Sequence, residues 1–138
     1  MLAATSCGGG MVDPMTSSAG TYTLRSANGV LPFRFYHLDA AGQTTIDITS
    51  GTLVLRKEGT FEEVLHYHST PPAPQVPYDT PVTTDGTFAV DKAVIAFTYT
   101  RPGGEAYTWS GSIQAGGVTY FDPSFTDVPA GLTAEYTR

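Results

Sequence analysis

Two histidines, His66 and His68, are spaced so that a β-strand would turn both imidazole rings to the same side. Such a pair offers two ligands to zinc, and a zinc site needs at least a third. Glu62, on the same face, and the distant His37 are the evident candidates. The opposite face of this stretch carries the larger apolar residues and should face the core. We therefore predict that the histidine pair lies on the solvent face and that the protein holds no metal.

Glu63 lies on the apolar side of the same stretch, which it shares with Phe61, Leu65 and Tyr67. A carboxylate turned toward a core is costly unless it is paired or hydrated. Two interpretations follow. Glu63 is either a polar anchor inside a ligand cavity or a residue near the rim of the core, where water reaches it. The rim is the position that we expect.

Aromatic residues that also carry a polar group recur on the predicted inner faces of the strands. Such side chains often line small-molecule pockets. They also fill small barrels, because the interior of an eight-stranded barrel is just wide enough for side chains. Core filling is the favoured interpretation, and Tyr136, Phe61, Phe88 and Phe97 should share that interior. If a ligand site exists, its candidate residues are Tyr22, Glu63, Tyr67, Tyr99, Tyr107 and Trp109.

Signatures of catalysis are weak along the whole chain. No Gly-x-Ser-x-Gly elbow presents a nucleophile, and no glycine motif between a strand and a helix would cradle a phosphate. Asp85-Gly86 and Asp122-Pro123 are typical of turns and do not form a catalytic pair of acids. We predict a protein that is not an enzyme and has no cofactor.

The composition of the chain limits which kinds of partner the protein can bind. The 138 residues suit one domain, and the formal net charge of -6, with only 7 Lys and Arg, argues against nucleic acid. The single cysteine, Cys7, excludes an intramolecular disulfide. We expect a monomer, with a small apolar molecule as its possible ligand.

The stretch 45–70 is the strongest local signal in the chain. Its residues alternate in polarity on both sides of Lys57-Glu58-Gly59, which predicts two strands about a tight turn. Ser50-Gly51 predicts another turn just before this hairpin. Similar short alternating stretches fill the rest of the chain, and helix signals are nearly absent. We predict an all-β fold, an antiparallel up-and-down barrel of about eight strands, with a two-sheet sandwich as the alternative.

The segment 71–77 contains four prolines and must be extended. It is either a spacer between strands or a stiff flap over the mouth of the barrel. Because most loops serve as connections, we favour the spacer.

The N-terminal residues 1–7 are small residues that end at Cys7, and three glycines follow. This pattern resembles the lipobox of bacterial lipoproteins, in which the cysteine becomes the lipidated first residue. A basic and an apolar region should precede a lipobox, so we infer that the chain begins within a truncated signal peptide. Residues 1–19 are predicted to be this remnant and a flexible Gly/Ser linker, and residues 20–138 the barrel domain.

Four segments of the domain resemble the small lipocalin-like domains of bacterial envelope lipoproteins, a family that is mostly uncharacterised. They are GTYTLRSANG (20–29), ITSGTLVLRKEGTF (48–61), DGTFAVDKAVIAFT (85–98) and LTAEYTR (132–138). The resemblance implies a lipocalin-like barrel in the bacterial cell envelope, anchored to the membrane by lipid on Cys7 and facing the periplasm or the exterior. A soluble secreted or periplasmic protein is the alternative location. The expected function is a non-enzymatic envelope module that binds a small apolar or aromatic ligand. The alternative is a structural or protein-interaction lipoprotein with a filled core.

Overall fold

A computed structural model describes residues 14–138, which consist almost entirely of β-strands. One helical turn, α1 (Pro14–Ser18), precedes them. The strands are β1 (Gly20–Ala27), β2 (Phe33–Asp39), β3 (Gly42–Leu55), β4 (Thr60–Thr70), β5 (Tyr78–Asp91), β6 (Val94–Thr100), β7 (Ala106–Gln114), β8 (Gly117–Asp122) and β9 (Leu132–Thr137). In this part of the chain, no helix is long and apolar enough to cross a lipid bilayer.

The strands close into a barrel. From β3 to β9 each strand pairs antiparallel with the next, and β9 pairs with β1. The C-terminal half of β3 pairs with β1, with Tyr22 opposite Leu53, and this pairing closes a ring of eight strands. β2 pairs with the N-terminal half of β3 and is an extra strand beside the ring. The predicted lipocalin-like, up-and-down architecture is confirmed, and the two-sheet alternative is wrong because pairing continues around the ring.

The turn predicted at Ser50-Gly51 is wrong. Both residues lie inside β3, where the register shifts between Ile48 and Ser50 as in a β-bulge. Gly51 is buried, and a Cβ atom there would lie 2.8 Å from Cδ2 of Leu65. The glycine therefore marks a close approach of side chain to backbone, which sequence alone does not distinguish from a turn.

Asp85-Gly86 is likewise not a turn, because it lies inside β5 opposite Glu62 and Phe61. A Cβ atom on Gly86 would lie 2.0 Å from the backbone oxygen of Thr98. The strand can pass its neighbour this closely only where a side chain is missing.

Alternation along the strands divides inner from outer residues as predicted. In β4, Phe61, Glu63 and Leu65 are buried, whereas His66 between the inner positions is exposed. Aromatic rings pack against one another inside the barrel: the centroids of Phe61 and Phe97 are 5.1 Å apart in an edge-to-face arrangement. The largest fully buried side chains are Tyr22, Tyr136, Phe61, Phe97, Ile48, Leu53, Leu55, Ile95, Leu132 and Val118.

The turn α1 is held against one end of the barrel. The hydroxyl of Tyr22 donates to the backbone oxygen of Ser18 at 2.7 Å. Arg138 donates to the backbone oxygens of Ala19 and Ser17, and its guanidinium lies 5.0 Å from the centre of the Tyr22 ring. The last part of the predicted linker is therefore bound to the domain. Cys7 lies outside the described residues.

Gly111, opposite Tyr120 on β8, provides a test of this close packing. A Cβ atom on Gly111 would lie 2.0 Å from the backbone oxygen of Thr119. We expect Gly111→Ala to lower the free energy of unfolding by about 1–3 kcal/mol or more, as overpacking does. Urea unfolding followed by tryptophan fluorescence measures the loss. Gly103→Ala is the control, since nothing lies within 4 Å of a Cβ atom there. Equal stability of the two variants would contradict the packing described.

Candidate functional site

A cavity of about 330 Å³ occupies the end of the barrel opposite α1. Its mouth is bordered by the β6–β7 turn, through Arg101, and by the β8–β9 loop, through Ser124 and Phe125. Its walls combine six aromatic and two aliphatic side chains with seven polar or charged ones, so the cavity is both aromatic and polar. The proline segment 71–77 connects β4 to β5 and does not border this cavity, which agrees with a spacer.

Five of the six residues predicted for a ligand site border this cavity. They come from three strands, β4, β6 and β7, and they are Glu63, Tyr67, Tyr99, Tyr107 and Trp109. The sixth, Tyr22, is not among them. It is fully buried near α1 and borders a different cavity, of about 360 Å³, at the other end of the barrel. Because that second cavity is lined mainly by small and polar side chains with Lys92 and Arg138, we take the aromatic cavity as the candidate site.

Glu63 is buried, with 5% of its surface exposed, so the expected rim position is wrong. The hydroxyl of Tyr120 on β8 donates to Oε2 of Glu63 at 2.5 Å, and the hydroxyl of Tyr136 on β9 donates to the same atom. Since β8 and β9 lie across the barrel from β4, these bonds join opposite walls through the interior. The two hydroxyls replace the water that the rim interpretation required.

The environment of Glu63 alters its acidity. Burial raises the pKa of its carboxyl group, the hydrogen bonds from Tyr120 and Tyr136 lower it, and the nearby charge of Asp122 raises it further. Burial is the largest of these effects, so the pKa of Glu63 is raised overall. Burial also raises the pKa values of Tyr120 and Tyr136 well above the usual range, with the charge of Glu63 acting in the same direction. Both phenols therefore stay protonated and remain donors.

Asp122 ends β8 at the mouth of the cavity. Its Oδ1 atom accepts a hydrogen bond from the backbone N–H of Ser124 at 3.0 Å, a turn contact of the predicted kind, and another from the hydroxyl of Tyr107. The guanidinium of Arg101 lies 5.0 Å from the centre of the Tyr107 ring. Asp122 thus borders the cavity in addition to shaping the turn.

Trp109 forms part of the cavity wall and has one unusual feature. Its ring stacks on Phe97 and Tyr107 at centroid distances of 5.4 and 5.5 Å, and only 7% of its surface is exposed. Its buried indole N–H finds no hydrogen-bond partner among residues 14–138. A buried donor without an acceptor is costly, and native structures contain few of them.

The extra strand β2 supports the wall at this end. The ring of Phe35 packs edge-to-face on Tyr67 and on Phe125, each at a centroid distance of 5.7 Å. Nδ1 of His37 lies 2.8 Å from Oδ2 of Asp127, which ties β2 to the β8–β9 loop. Phe125 is thereby held at the mouth from outside the ring of eight strands.

The histidines that the sequence singled out are apart from the cavity. His66 is exposed, and Nδ1 of His68 lies 2.7 Å from Oδ1 of Asp79. His37 is engaged with Asp127 on β2. Across residues 14–138, no group of three or more His, Cys, Asp or Glu is arranged to hold a metal ion.

Sequence reasoning missed Tyr120, Asp122 and Phe125 as cavity residues. Tyr120 could have been predicted, because it lies two residues from Val118 and therefore on the same buried face of β8. Asp122 lies at a strand end and Phe125 in a loop, where alternation does not predict the direction in which a side chain points.

Comparisons with known proteins add no relative: no protein-family model, no curated protein and no solved structure matches the chain. The class that fold and site define is a closed β-barrel with an internal aromatic cavity. The functional interpretation must therefore be argued from that cavity.

The raised pKa of Glu63 predicts how stability depends on pH. Below the ordinary value of 4.5, the carboxyl is neutral in both the folded and the unfolded chain. As the pH rises from there, the unfolded chain releases the proton first, so the wild-type protein loses stability until the pH passes the folded pKa. Glu63→Gln cannot titrate, and we expect it to gain stability relative to wild type over that interval.

Urea unfolding of both proteins from pH 4.5 to 8 measures this difference. Glu62→Gln, on the outer face of the same strand, is the matched control for loss of a carboxyl. A difference that stays constant with pH, or that falls as the pH rises, would contradict the raised pKa of Glu63.

Proposed function

We propose that this domain is a non-enzymatic binding module that takes a small aromatic ligand into the barrel. The observation that carries the proposal is the cavity of about 330 Å³, because ligand pockets begin at about 300 Å³. Aromatic side chains on several strands offer it ring faces and edges, and its inner end carries the buried carboxyl of Glu63.

The distribution of side chains inside the barrel supports this proposal over a purely structural role. One half of the interior is packed by large side chains such as Phe61, Phe97 and Leu55. The other half keeps the cavity, although closely packed interiors have few voids larger than a water molecule. A structural or protein-interaction module with a filled core would have no need of this space.

Tryptophan fluorescence tests binding directly, because Trp109 is the single tryptophan and borders the cavity. We expect some members of a library of one-ring and two-ring aromatic fragments, both charged and neutral, to change its emission saturably. Thr84, opposite Glu63 on β5, also borders the cavity, and Thr84→Phe should fill the space and abolish the response.

Thr87→Phe is the matched control, because Thr87 is exposed on the same strand and does not border the cavity. It should bind as the wild type does. Absence of any saturable response in the wild-type protein, or an unchanged response in Thr84→Phe, would refute ligand binding in the cavity. The structural or protein-interaction alternative would then be favoured.

The proposal extends to location: the module is tethered to a bacterial envelope through lipid on Cys7. Its support is the lipobox-like sequence and the glycines that follow it. Acyl chains bind a membrane by burying CH₂ groups, so a lipidated cysteine would hold the domain at the bilayer surface.

Mass analysis tests the tether. The gene with its upstream region is expressed in bacteria, and the protein is purified from the membrane fraction. We expect a diacyl or triacyl mass on a chain that begins at Cys7, and loss of membrane association in Cys7→Ala. An unmodified wild-type chain that keeps Met1 would refute the anchor and leave ligand binding unaffected.

A further inference from the structure

The cavity borders two carboxyl groups and one guanidinium, and these charges do not cancel. Starting from the proposed function, on which this inference rests, we infer that the ligand is a small organic cation, an arylalkyl ammonium ion. Its ammonium group would pair with Glu63, and its ring would lie against Trp109 and the tyrosines of the wall.

Glu63 keeps an oxygen atom for such a partner. The hydroxyls of Tyr120 and Tyr136 both donate to Oε2, and Oε1 receives no hydrogen bond from the residues that the structure describes. An ammonium group donates without accepting, as an acceptor-only carboxylate oxygen requires. The two phenols would support the ionised form by donating to it, so the pair would be both charged and hydrogen-bonded.

Arg101 does not provide the positive partner of Glu63. Almost half of its side chain is exposed, and its Nη1 atom lies 3.4 Å from Glu105 outside the cavity. Its guanidinium lies 5.0 Å from the centre of the Tyr107 ring, so an aromatic face at the mouth already receives a cation. Asp122, whose Oδ1 atom binds Ser124 and Tyr107, adds a second negative group on the way inward.

The indole of Trp109 offers the ligand an aromatic surface. Its ring borders the cavity and stacks on Tyr107, which borders it too. Aromatic surfaces attract both rings and organic cations. An arylalkyl ammonium ion carries both a ring and a cation.

The overall charge acts in the same direction. The formal net charge is -6, from 13 acidic and 7 basic residues. A negative protein raises the local concentration of cations and their rate of association, and salt weakens this effect.

Three probes that share a phenol ring isolate the charge: tyramine is a cation, 4-ethylphenol is neutral and 3-(4-hydroxyphenyl)propanoate is an anion. Isothermal titration calorimetry at neutral pH, with Trp109 fluorescence as a second readout, measures each affinity. A charge-assisted hydrogen bond should make tyramine bind about tenfold or more tightly than 4-ethylphenol, with the propanoate weakest.

Glu63→Gln removes the charge and keeps the shape. We expect this variant to lose about tenfold or more of the affinity for tyramine and to bind 4-ethylphenol nearly as the wild type does. Glu62→Gln, on the outer face, should leave both affinities unchanged. Circular dichroism confirms folding, and if Glu63→Gln does not fold, the ranking of the three probes on the wild-type protein decides.

The outcomes separate the two levels of the proposal. Tyramine preferred by the wild type and weakened in Glu63→Gln supports the cation. Equal or tighter binding of the neutral or anionic probe, lost in Thr84→Phe, would overturn the cation and keep the ligand site. No binding of any probe or library fragment would overturn the ligand site itself.

Discussion

The bridge from Glu63 to Tyr120 and Tyr136 is the interaction on which the interior of this barrel depends. It joins residues that are 57 and 73 positions apart in the chain, and it passes through the centre of the barrel from β4 to β8 and β9. A buried carboxyl without partners would oppose closure of the ring. With two phenols as donors it is instead a fixed polar group at the inner end of the cavity, and the packed half of the core lies beyond it.

Tyrosine suits this arrangement because one side chain supplies both an apolar ring and a polar tip. Tyr120 is a member of the core, packing on Phe97 at 5.6 Å, and also the donor that satisfies Glu63. Tyr107 has the same double role at the mouth of the cavity. Its ring stacks on Trp109 and lies under the guanidinium of Arg101, and its hydroxyl donates to Asp122. In this site the same side chains therefore provide both the packing and the polar contacts.

Much of the fold could be predicted from the chain, because alternation reports directly which strand face is inward. Phe61, Leu65 and Trp109 were assigned correctly on that basis, and so was the barrel class. Predictions failed where two segments of the chain that are distant in sequence meet in the fold. Gly51 and Gly86 look like turn residues until their neighbours across the sheet are known. Glu63 looks like a rim residue until closure brings Tyr120 and Tyr136 to it.

One nuclear magnetic resonance measurement tests the central claim, that the cavity around Glu63 and Trp109 receives a ligand. The single tryptophan gives one indole ¹H–¹⁵N signal, from a donor that has no partner among residues 14–138. Titration with tyramine should move this signal saturably, because the ligand ring would lie against the indole, and nuclear Overhauser effects should link the ligand ring to Trp109 and Tyr67. A signal that stays in place while tyramine binds elsewhere, or that never responds to any aromatic ligand, would contradict the account.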